Sequence, residues 1–332
     1  MSMPDLYASP DYLNVSALVD RVIEQTLPAT SPAVAFWKEL NSIFGRELQD
    51  HPADLGIRRL PALACAAVGG DPTLAEPVTA AWQLIRLAAK LLDDVEDFDV
   101  ATEAPLMVNV ATGLVSLAPL VLRELPTRLL QDMAHDINLE LQRAIMRAAA
   151  GQHADLSGAQ KESRTEDADT WLEIAVAKSG ELLGWATWAG ALVGGADAQA
   201  QGCLRAYGIH LGVALQMADD FHGIWGSPRV SDLAGHHLNL SVCYARSVLK
   251  NDSLEQLETL LSAARQRDKA AEIEARELLV NLGAQGYLLT AARVQQRQAL
   301  AALDEAETKL KDPAPLAALL NRLMPSVEST EV

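Results

Sequence analysis

Aromatic residues and cysteines are both scarce in this chain. Only 5% of the 332 residues are aromatic although 49% are hydrophobic, so Ala and Leu supply most of the apolar bulk. These residues favour helices over strands, and the hydrophobic share is too high for a disordered chain. The three cysteines are widely spaced and outside any C-x-x-C pattern, which argues against a disulfide framework or a zinc site.

Positive charge is scarce as well. The chain has 27 Lys and Arg against 44 Asp and Glu, which gives a formal net charge of −17 at pH 7. This balance argues against binding to the phosphate backbone of a nucleic acid and against an anionic membrane surface. It suits a protein that holds several divalent cations.

Targeting signals are lacking at the level of sequence. Residues 1–11 do not have the basic and apolar regions of a signal peptide. The uncharged stretch Leu182–Ala196 is Gly-rich and shorter than the ~20 residues that a membrane span needs. We therefore expect a cytoplasmic protein without a membrane span.

Helical periodicity fills the chain, and the alternation typical of strands is nowhere sustained. Helices are predicted near 15–28, from 31 into the 40s, and near 61–69, 74–98, 106–122, 127–151, 168–184, 185–195, 197–225, 238–248, 254–264, 268–284, 286–310 and 314–323. We expect one all-α domain over residues 1–332, with a core of about 15–310 and a C-terminal helix and tail at 311–332. Residues 157–168 are predicted to form a mobile loop.

The first cluster of like charge is Asp93, Asp94 and Asp97, at the C-terminal end of an apolar helix. On a helix, Asp93 and Asp97 stand one turn apart on one face. Like charges at this spacing repel by a few tenths of a kcal/mol per pair, and the negative end of the helix dipole adds a further penalty. The cluster is either a solvated acidic helix end or a site that holds a cation.

A second pair of carboxylates, Asp219 and Asp220, lies late in another apolar helix, with Gln216 one turn earlier. Carboxylates within apolar helices are costly unless they are paired or bind a metal. Both clusters offer only oxygen ligands, which suit a partly hydrated Mg²⁺ that also contacts substrate phosphates. Two such clusters in one chain therefore favour a metal site over a solvated run of charge.

At these residues the chain resembles the trans-isoprenyl diphosphate synthases, also called polyprenyl synthetases. The first cluster matches the family's D-D-x-x-D motif, and the second matches its second aspartate-rich region, with Gly223 where the family often has a third Asp. Three further segments resemble family elements in the right order: Gly56–Pro61 (Gly-Lys-Arg-x-Arg-Pro), Gly151–Leu156 (Gly-Gln-x-x-Asp-Leu) and Ala177–Ser179 (Lys-Thr). The resemblance covers roughly residues 56–244.

The resemblance implies a single-domain, all-α isoprenoid synthase bundle around a central apolar cavity. In such enzymes Mg²⁺ ions, three with the bound diphosphate, neutralise the leaving group so that an allylic prenyl diphosphate ionises. A homodimer is implied as well. By the same resemblance, the metal ligands are Asp93, Asp94, Asp97, Asp219 and Asp220, the catalytic residues are Lys178 and Gln216, and the diphosphate-binding residues are Arg58, Arg59, Lys178 and Arg229.

The chain departs from the family in the basic residues that bind isopentenyl diphosphate. In the first basic element only Arg58 aligns directly, and residues 98–105 carry no base where the family has Arg-Arg-Gly. After the second motif the chain keeps Arg229 and has His236 and His237 near a family lysine position. We expect the metal-assisted half of the reaction to be intact and the acceptor half to be altered.

Three functions are compatible with this pattern. The first is a divergent prenyltransferase that elongates chains or alkylates another acceptor. The second is a terpene synthase, in which the ionised chain cyclises or is captured by water without isopentenyl diphosphate. The third is a non-catalytic regulatory partner of a true synthase, which predicts eroded Asp motifs, whereas both motifs survive here.

Two alanines upstream of the first motif bear on product size. In the family, bulky residues four and five positions before the motif close the cavity and stop the growing chain. Ala89 and Ala88 occupy these positions here. They predict a chain-length pocket that accepts a prenyl tail of about C15–C20 or longer.

Overall fold

The computed structural model describes residues 11–27, 29–50, 55–96, 104–125, 131–159, 167–226, 231–235 and 237–324. Within these ranges the regular structure is helical and no strand occurs, which confirms the all-α prediction. In chain order the helices are α1 Asp11–Thr26, α2 Ser31–Asp50, α3 Leu55–Arg58, α4 Leu60–Ala67, α5 Glu76–Glu96, α6 Ala104–Val121, α7 Gln131–Ala159, α8 Ala168–Ala175, α9 Glu181–Val193, α10 Ala198–Trp225, α11 Leu240–Val248, α12 Asn251–Arg265, α13 Lys269–Asn281, α14 Ala284–Glu305 and α15 Ala314–Leu323.

Residue contacts divide the chain into two compact units. Unit 1 comprises Met1–Leu141, Ala186–Leu204 and Ala306–Leu319. Unit 2 comprises Gln142–Trp185, Arg205–Glu305 and Leu320–Val332. The first aspartate cluster therefore belongs to unit 1 and the second to unit 2, and the single-domain organisation expected for residues 1–332 stays a prediction.

Unit 1 is built around α5, which packs against α6. Leu84, Ala88 and Leu91 recur at helical spacing on α5 and are buried, as the hydrophobic periodicity of this segment predicts. Trp82 is also buried, and its indole Nε1 donates a 2.6 Å hydrogen bond to the backbone oxygen of Ile57. This bond ties the start of the basic element to the helix that carries the first aspartates.

The segment Ala104–Glu124 is long and apolar enough to cross a membrane by length and composition, with a mean hydropathy of 1.8. Only 39% of the residues in its most apolar 18-residue stretch are buried. One such helix is weak evidence for a membrane span, because core helices of soluble proteins have the same composition. Residues 104–122 form an uncharged run longer than 182–196, so the expectation of no membrane span rested on the wrong stretch of sequence.

Unit 2 has a core in which α10 is central. Val213, Met217 and Phe221 lie one turn apart on its buried face and pack with Trp171 of α8 and Leu288 of α14. A second apolar cluster joins α11, α12 and α13. The polar residues of the second aspartate motif are therefore carried by a helix that is anchored along much of its length.

Two differences from the sequence prediction bear on the functional residues. Helix α7 continues to Ala159 rather than ending near residue 151, so the Gly151–Leu156 motif is helical, as are residues 157–159 of the predicted loop. Residues 160–166 of that loop lie outside the described residues. The predicted helix 168–184 is interrupted by a π-helical turn at Val176–Gly180. Hydrophobic periodicity does not predict either feature. Gly151 lies within α7 although glycine disfavours helices, and a single π turn changes the apolar spacing very little.

Gly190 on α9 allows an unusually close approach to α4. A Cβ atom at this position would lie 2.1 Å from the backbone oxygen of Pro61. We expect Gly190→Ala to lower the free energy of unfolding by about 1–3 kcal/mol, because the two backbones must separate. Gly202→Ala on α10 is the matched control, since nothing lies within 4 Å of its Cβ position, and it should stabilise by about 0.5–1 kcal/mol. Urea unfolding of both variants checks this, and equal effects would contradict it.

Candidate functional site

Helix α10 presents the second motif with its carboxylates in different environments. Asp220 is 3% exposed, whereas the neighbouring Asp219 is exposed and Gln216 is half-buried. Successive residues of a helix point about 100° apart, so Asp220 faces the interior of unit 2 and Asp219 faces its surface. Only one of the two carboxylates thus bears the cost of burial.

The buried Asp220 carboxylate is held by a backbone amide and lies near three other carboxylates. Its Oδ2 accepts a 2.6 Å hydrogen bond from the amide of Leu240. Burial raises the pKa of Asp220 well above its ordinary value, and the charges of Asp232, Asp219 and Asp155 raise it further, against the opposing effect of the Leu240 bond. A cation beside these oxygen ligands would relieve this repulsion.

Asn239 connects the second motif to the loop that follows it. Its side chain is 2% exposed, and Nδ2 donates to the backbone oxygen of Asp220 at 3.0 Å and to Oδ2 of Asp232 at 2.9 Å. Its Oδ1 accepts from the amide of Ser241, which makes it the N-cap of α11. One side chain therefore fixes the loop, the motif and the start of a helix.

Asp232 fills the space that a side chain at Gly223 would need. A Cβ atom at Gly223 would lie 2.2 Å from Oδ2 of Asp232, and the Asp232 amide donates to the Gly223 oxygen at 3.0 Å. The family often has a third Asp at position 223. In this chain a carboxylate is present at that place in space, although a residue of the following loop supplies it.

The Lys178 segment is the π-helical turn Val176–Gly180, and two other helices approach it closely. A Cβ at Gly151 of α7 would lie 2.7 Å from the Lys178 amide nitrogen, and one at Gly212 of α10 would lie 2.8 Å from the Ser179 oxygen. The Ser179 hydroxyl donates to Oε1 of Gln216 at 3.0 Å. The Lys178 turn and the Gln216 motif, both predicted as functional, are thus joined by a direct bond.

Asp155 of α7 is the buried partner of Lys178. Its Oδ2 lies 3.5 Å from Lys178 Nζ and 3.2 Å from His237 Nδ1, and its Oδ1 accepts from the Leu238 amide at 2.8 Å. Burial acts to raise the pKa of Asp155, but the bond from His237, the charge of Lys178 and the Leu238 amide outweigh it and hold the pKa below its ordinary value. The carboxylate is therefore ionised at neutral pH.

Unit 1 contains the remaining described candidates. Asp93 and Asp94 are half-buried at the end of α5. Arg58 is 1% exposed, and Arg59 lines a cavity of about 70 Å³ together with Glu76. Predicted residues outside the described ranges are Asp97 and Arg229.

The two predicted chain-length residues have different environments. Ala88 is 1% exposed within the core of unit 1, whereas its neighbour Ala89 is exposed. The two side chains point about 100° apart, so Ala88 faces the core of unit 1 and Ala89 faces away from it, and the chain-length pocket stays a prediction.

Within unit 2 the structure joins the Lys178 turn to Gln216, and Asp219 and Asp220 follow one turn later on the same helix. Among the described residues, no three His, Cys, Asp or Glu side chains are close enough to form a complete metal site. The donor set still fits a hard cation, because its ligands are oxygens and Asp220 is surrounded by like charge.

Four further residues of this site have roles that the sequence analysis did not assign. Asp155 was marked by its motif, and Asn239 has the sequence signal of an N-cap before an apolar helix. The contact of His237 joins segments 82 residues apart, and that of Asp232 joins the loop after α10 to Gly223 within α10.

We expect Gly223→Ala to destabilise the protein by about 1–3 kcal/mol, because Asp232 is anchored at its amide and at its carboxylate and cannot retreat without losing a bond. Removing the obstructing side chain should restore stability, so the double variant Gly223→Ala/Asp232→Gly should be more stable than the sum of the single changes predicts. Thermal or urea unfolding of the three variants measures this coupling. Strict additivity would contradict the proposed contact.

Comparison with known proteins gives a consistent result. A family model described as Polyprenyl synthetase matches residues 56–279. A geranylgeranyl diphosphate synthase of Mycobacterium tuberculosis is 31% identical over 258 residues, which cover 73% of this chain and 72% of that protein. A short chain isoprenyl diphosphate synthase of Methanothermobacter thermautotrophicus is 29% identical over 266 residues, which cover 75% of this chain and 80% of that protein.

Solved structures agree. The geranylgeranyl pyrophosphate synthetase from Pyrococcus horikoshii matches with a TM-score of 0.78 and 20% identity, over 95% of this chain and 99% of that chain. The polyprenyl synthetase from Streptomyces coelicolor matches with a TM-score of 0.70 and 28% identity, over 81% of this chain and 84% of that chain. These likenesses confirm the predicted isoprenoid synthase fold.

Proposed function

Because the chain belongs to the polyprenyl synthetase family, we propose that it ionises an allylic prenyl diphosphate with the help of Mg²⁺ and transfers the prenyl group to an acceptor. It is an enzyme of the prenyltransferase type. The proposal concerns the substrate, the metal, the product length and the roles of individual residues.

One contact carries the proposal. The Ser179 hydroxyl donates to Gln216 at 3.0 Å, so the turn that bears Lys178 adjoins the helix that bears Asp219 and Asp220. A cationic side chain beside a carboxylate cluster is the arrangement that a metal-bound diphosphate requires, since its oxygens need both a fixed cation and metal ions.

The proposed reaction begins with cleavage of the allylic C–O bond, and both electrons of this bond leave with the pyrophosphate. The double bond of the acceptor then attacks the carbocation, and loss of one proton yields a neutral chain. Lys178 binds the leaving oxygens, and Gln216 orients its amide toward the reacting end of the substrate. Neutralisation of charge on the leaving group is the chemistry that bound Mg²⁺ would supply, held by Asp93, Asp94, Asp97, Asp219 and Asp220.

Isopentenyl diphosphate is the acceptor that the relatives favour, since they are geranylgeranyl, farnesyl and short chain isoprenyl diphosphate synthases. One observation favours the terpene synthase alternative. Arg58, the directly aligned base of the acceptor site, is only 1% exposed and therefore offers little surface to a second diphosphate. A homodimer and a cytoplasmic location are part of the proposal by resemblance to the family.

Product analysis by mass spectrometry separates the two reactions. Purified protein with Mg²⁺ is incubated with geranyl, farnesyl or geranylgeranyl diphosphate, each with and without isopentenyl diphosphate. A longer diphosphate that forms only when isopentenyl diphosphate is present supports chain elongation. A hydrocarbon or alcohol released without it supports a terpene synthase, and no turnover of any substrate contradicts both and favours a regulatory partner.

We expect Asp93→Asn and Asp219→Asn each to lower turnover by at least about 100-fold, because each removes a charged ligand from the proposed metal–diphosphate complex. Asp252→Asn is the matched control, since Asp252 is an exposed residue in the first turn of α12. Steady-state kinetics at saturating Mg²⁺ checks this. Near-normal turnover in either motif variant would remove that aspartate from the proposed mechanism.

We expect Ala88→Phe to shorten the longest product below about C15–C20, because a phenyl ring at this buried position would reduce the proposed chain-length pocket. Ala81→Phe provides the control, since Ala81 is also fully buried on α5 and should cost stability through overpacking without changing product length. Product length is read by mass spectrometry, and stability by thermal unfolding. An unchanged product length in Ala88→Phe would contradict this position for the pocket floor.

A further inference from the structure

We propose that His237 is a second diphosphate-binding group of this enzyme, positioned beside Lys178 by the carboxylate of Asp155. The inference rests on the proposed function, since it takes Lys178 as a diphosphate contact. It assigns two roles: Asp155 is a positioning residue, and His237 is a cationic contact whose charge depends on pH.

A single oxygen brings the two basic groups together. Oδ2 of Asp155 lies 3.2 Å from His237 Nδ1 and 3.5 Å from Lys178 Nζ. Both nitrogens are therefore neighbours around one atom. The other oxygen, Oδ1, accepts from the Leu238 amide at 2.8 Å, so the carboxylate fixes the backbone at His237 as well as its ring.

The acid and the two basic groups differ in their exposure to solvent. The Asp155 side chain is 6% exposed, whereas the side chains of Lys178 and His237 are 20% and 24% exposed. The carboxylate is thus enclosed while both basic groups extend toward solvent. A ligand that approaches from solvent would meet the two basic groups and not the acid that holds them.

The ring orientation determines what His237 can offer. With Nδ1 directed at Asp155, the ring nitrogen that faces away from the carboxylate is Nε2. A neutral imidazole with its proton on Nδ1 has only a lone pair at Nε2, which repels a phosphate oxygen, whereas a protonated imidazole has an N–H donor there. Only the charged ring can therefore bind a diphosphate.

The local charges make the protonation of His237 consequential. Charged groups that face it are Asp155 on α7, Lys178 on the π turn and, around the small cavity that His237 lines, Asp232, Arg246 and Arg265. Lys178 and Asp155 neutralise one another, so proton uptake by His237 changes this trio from neutral to positive. Asp155 stays ionised throughout, because its pKa is held low.

The sign of the pH effect follows. Histidine is the side chain whose charge most readily changes between about pH 5 and pH 8, and only its protonated form offers a donor at Nε2 here. Diphosphate affinity should therefore fall as the pH rises through this range. A lysine at position 237 would remain charged over the same range.

Calorimetric binding of inorganic pyrophosphate with Mg²⁺ tests this, with wild type, His237→Lys and His237→Gln compared at about pH 6 and about pH 8.5. At the lower pH, wild type should match His237→Lys and bind roughly tenfold or more tightly than His237→Gln, as expected for one charge-assisted hydrogen bond. At the higher pH, wild type should weaken to the level of His237→Gln. The ratio of wild type to His237→Lys at each pH cancels the titration of pyrophosphate itself.

Two further variants separate positioning from folding. Asp155→Asn keeps an acceptor for the Leu238 amide but removes the charge, and it should weaken binding and reduce its dependence on pH. His153→Gln is the control, since His153 is an exposed imidazole on the same helix that bonds only Ser157 in the described part of the chain, and it should keep the wild-type ratio. Thermal unfolding of every variant confirms that it is folded.

A wild-type to His237→Lys ratio that does not change with pH would overturn the role of His237, as would equal binding by wild type and His237→Gln at both pH values. Product analysis distinguishes this from failure of the proposed function. If the enzyme turns over prenyl diphosphates but the wild-type to His237→Lys affinity ratio does not change with pH, only the role of His237 is overturned. A pH-dependent ratio without turnover of any prenyl diphosphate supports His237 as an anion contact and contradicts the proposed reaction.

Discussion

Two buried carboxylates hold the short segment that precedes α11, and the geometry of unit 2 depends on them. Asp155 on α7 accepts from the Leu238 amide, and Asp220 on α10 accepts from the Leu240 amide. Burying a carboxylate costs several kcal/mol unless hydrogen bonds or cations compensate for the lost water. Alternate amides of one extended segment supply part of that compensation. The segment is thereby fixed between two helices and brings His237 and Asn239 with it.

The basic side of the site depends on close packing as well as on polar bonds. The π turn that carries Lys178 lies against Gly151 and Gly212, at distances that a methyl group would prevent. A glycine within a helix costs about 1 kcal/mol relative to alanine. Here that cost is offset because the helices approach closely enough for Ser179 to reach Gln216. The two glycines thus lower the local helix propensity but allow the three helical segments to pack closely around the site.

The sequence was sufficient for the features that depend on local pattern. Hydrophobic periodicity predicted α5 and α10. The ordered motifs indicated the family, and through it the candidate roles of Lys178, Gln216 and the aspartates. The sequence was insufficient where a contact depends on how a loop folds back on a helix or on how separate helices pack. No local signal shows that Asp232 lies against Gly223 or that His237 shares an acceptor with Lys178. The apolar spacing predicts a continuous helix across the π turn, because it differs little from the spacing of a regular helix.

The contact between Gly223 and Asp232 also constrains how this sequence can change over evolutionary time. An acidic side chain can occupy position 223 or position 232, but the space admits only one. A lineage that exchanges one for the other must therefore pass through a state with both residues small, or accept a transient loss of stability. The two sites are epistatic, so a comparison that scores position 223 alone would count a carboxylate as lost when it has only changed its position in the chain.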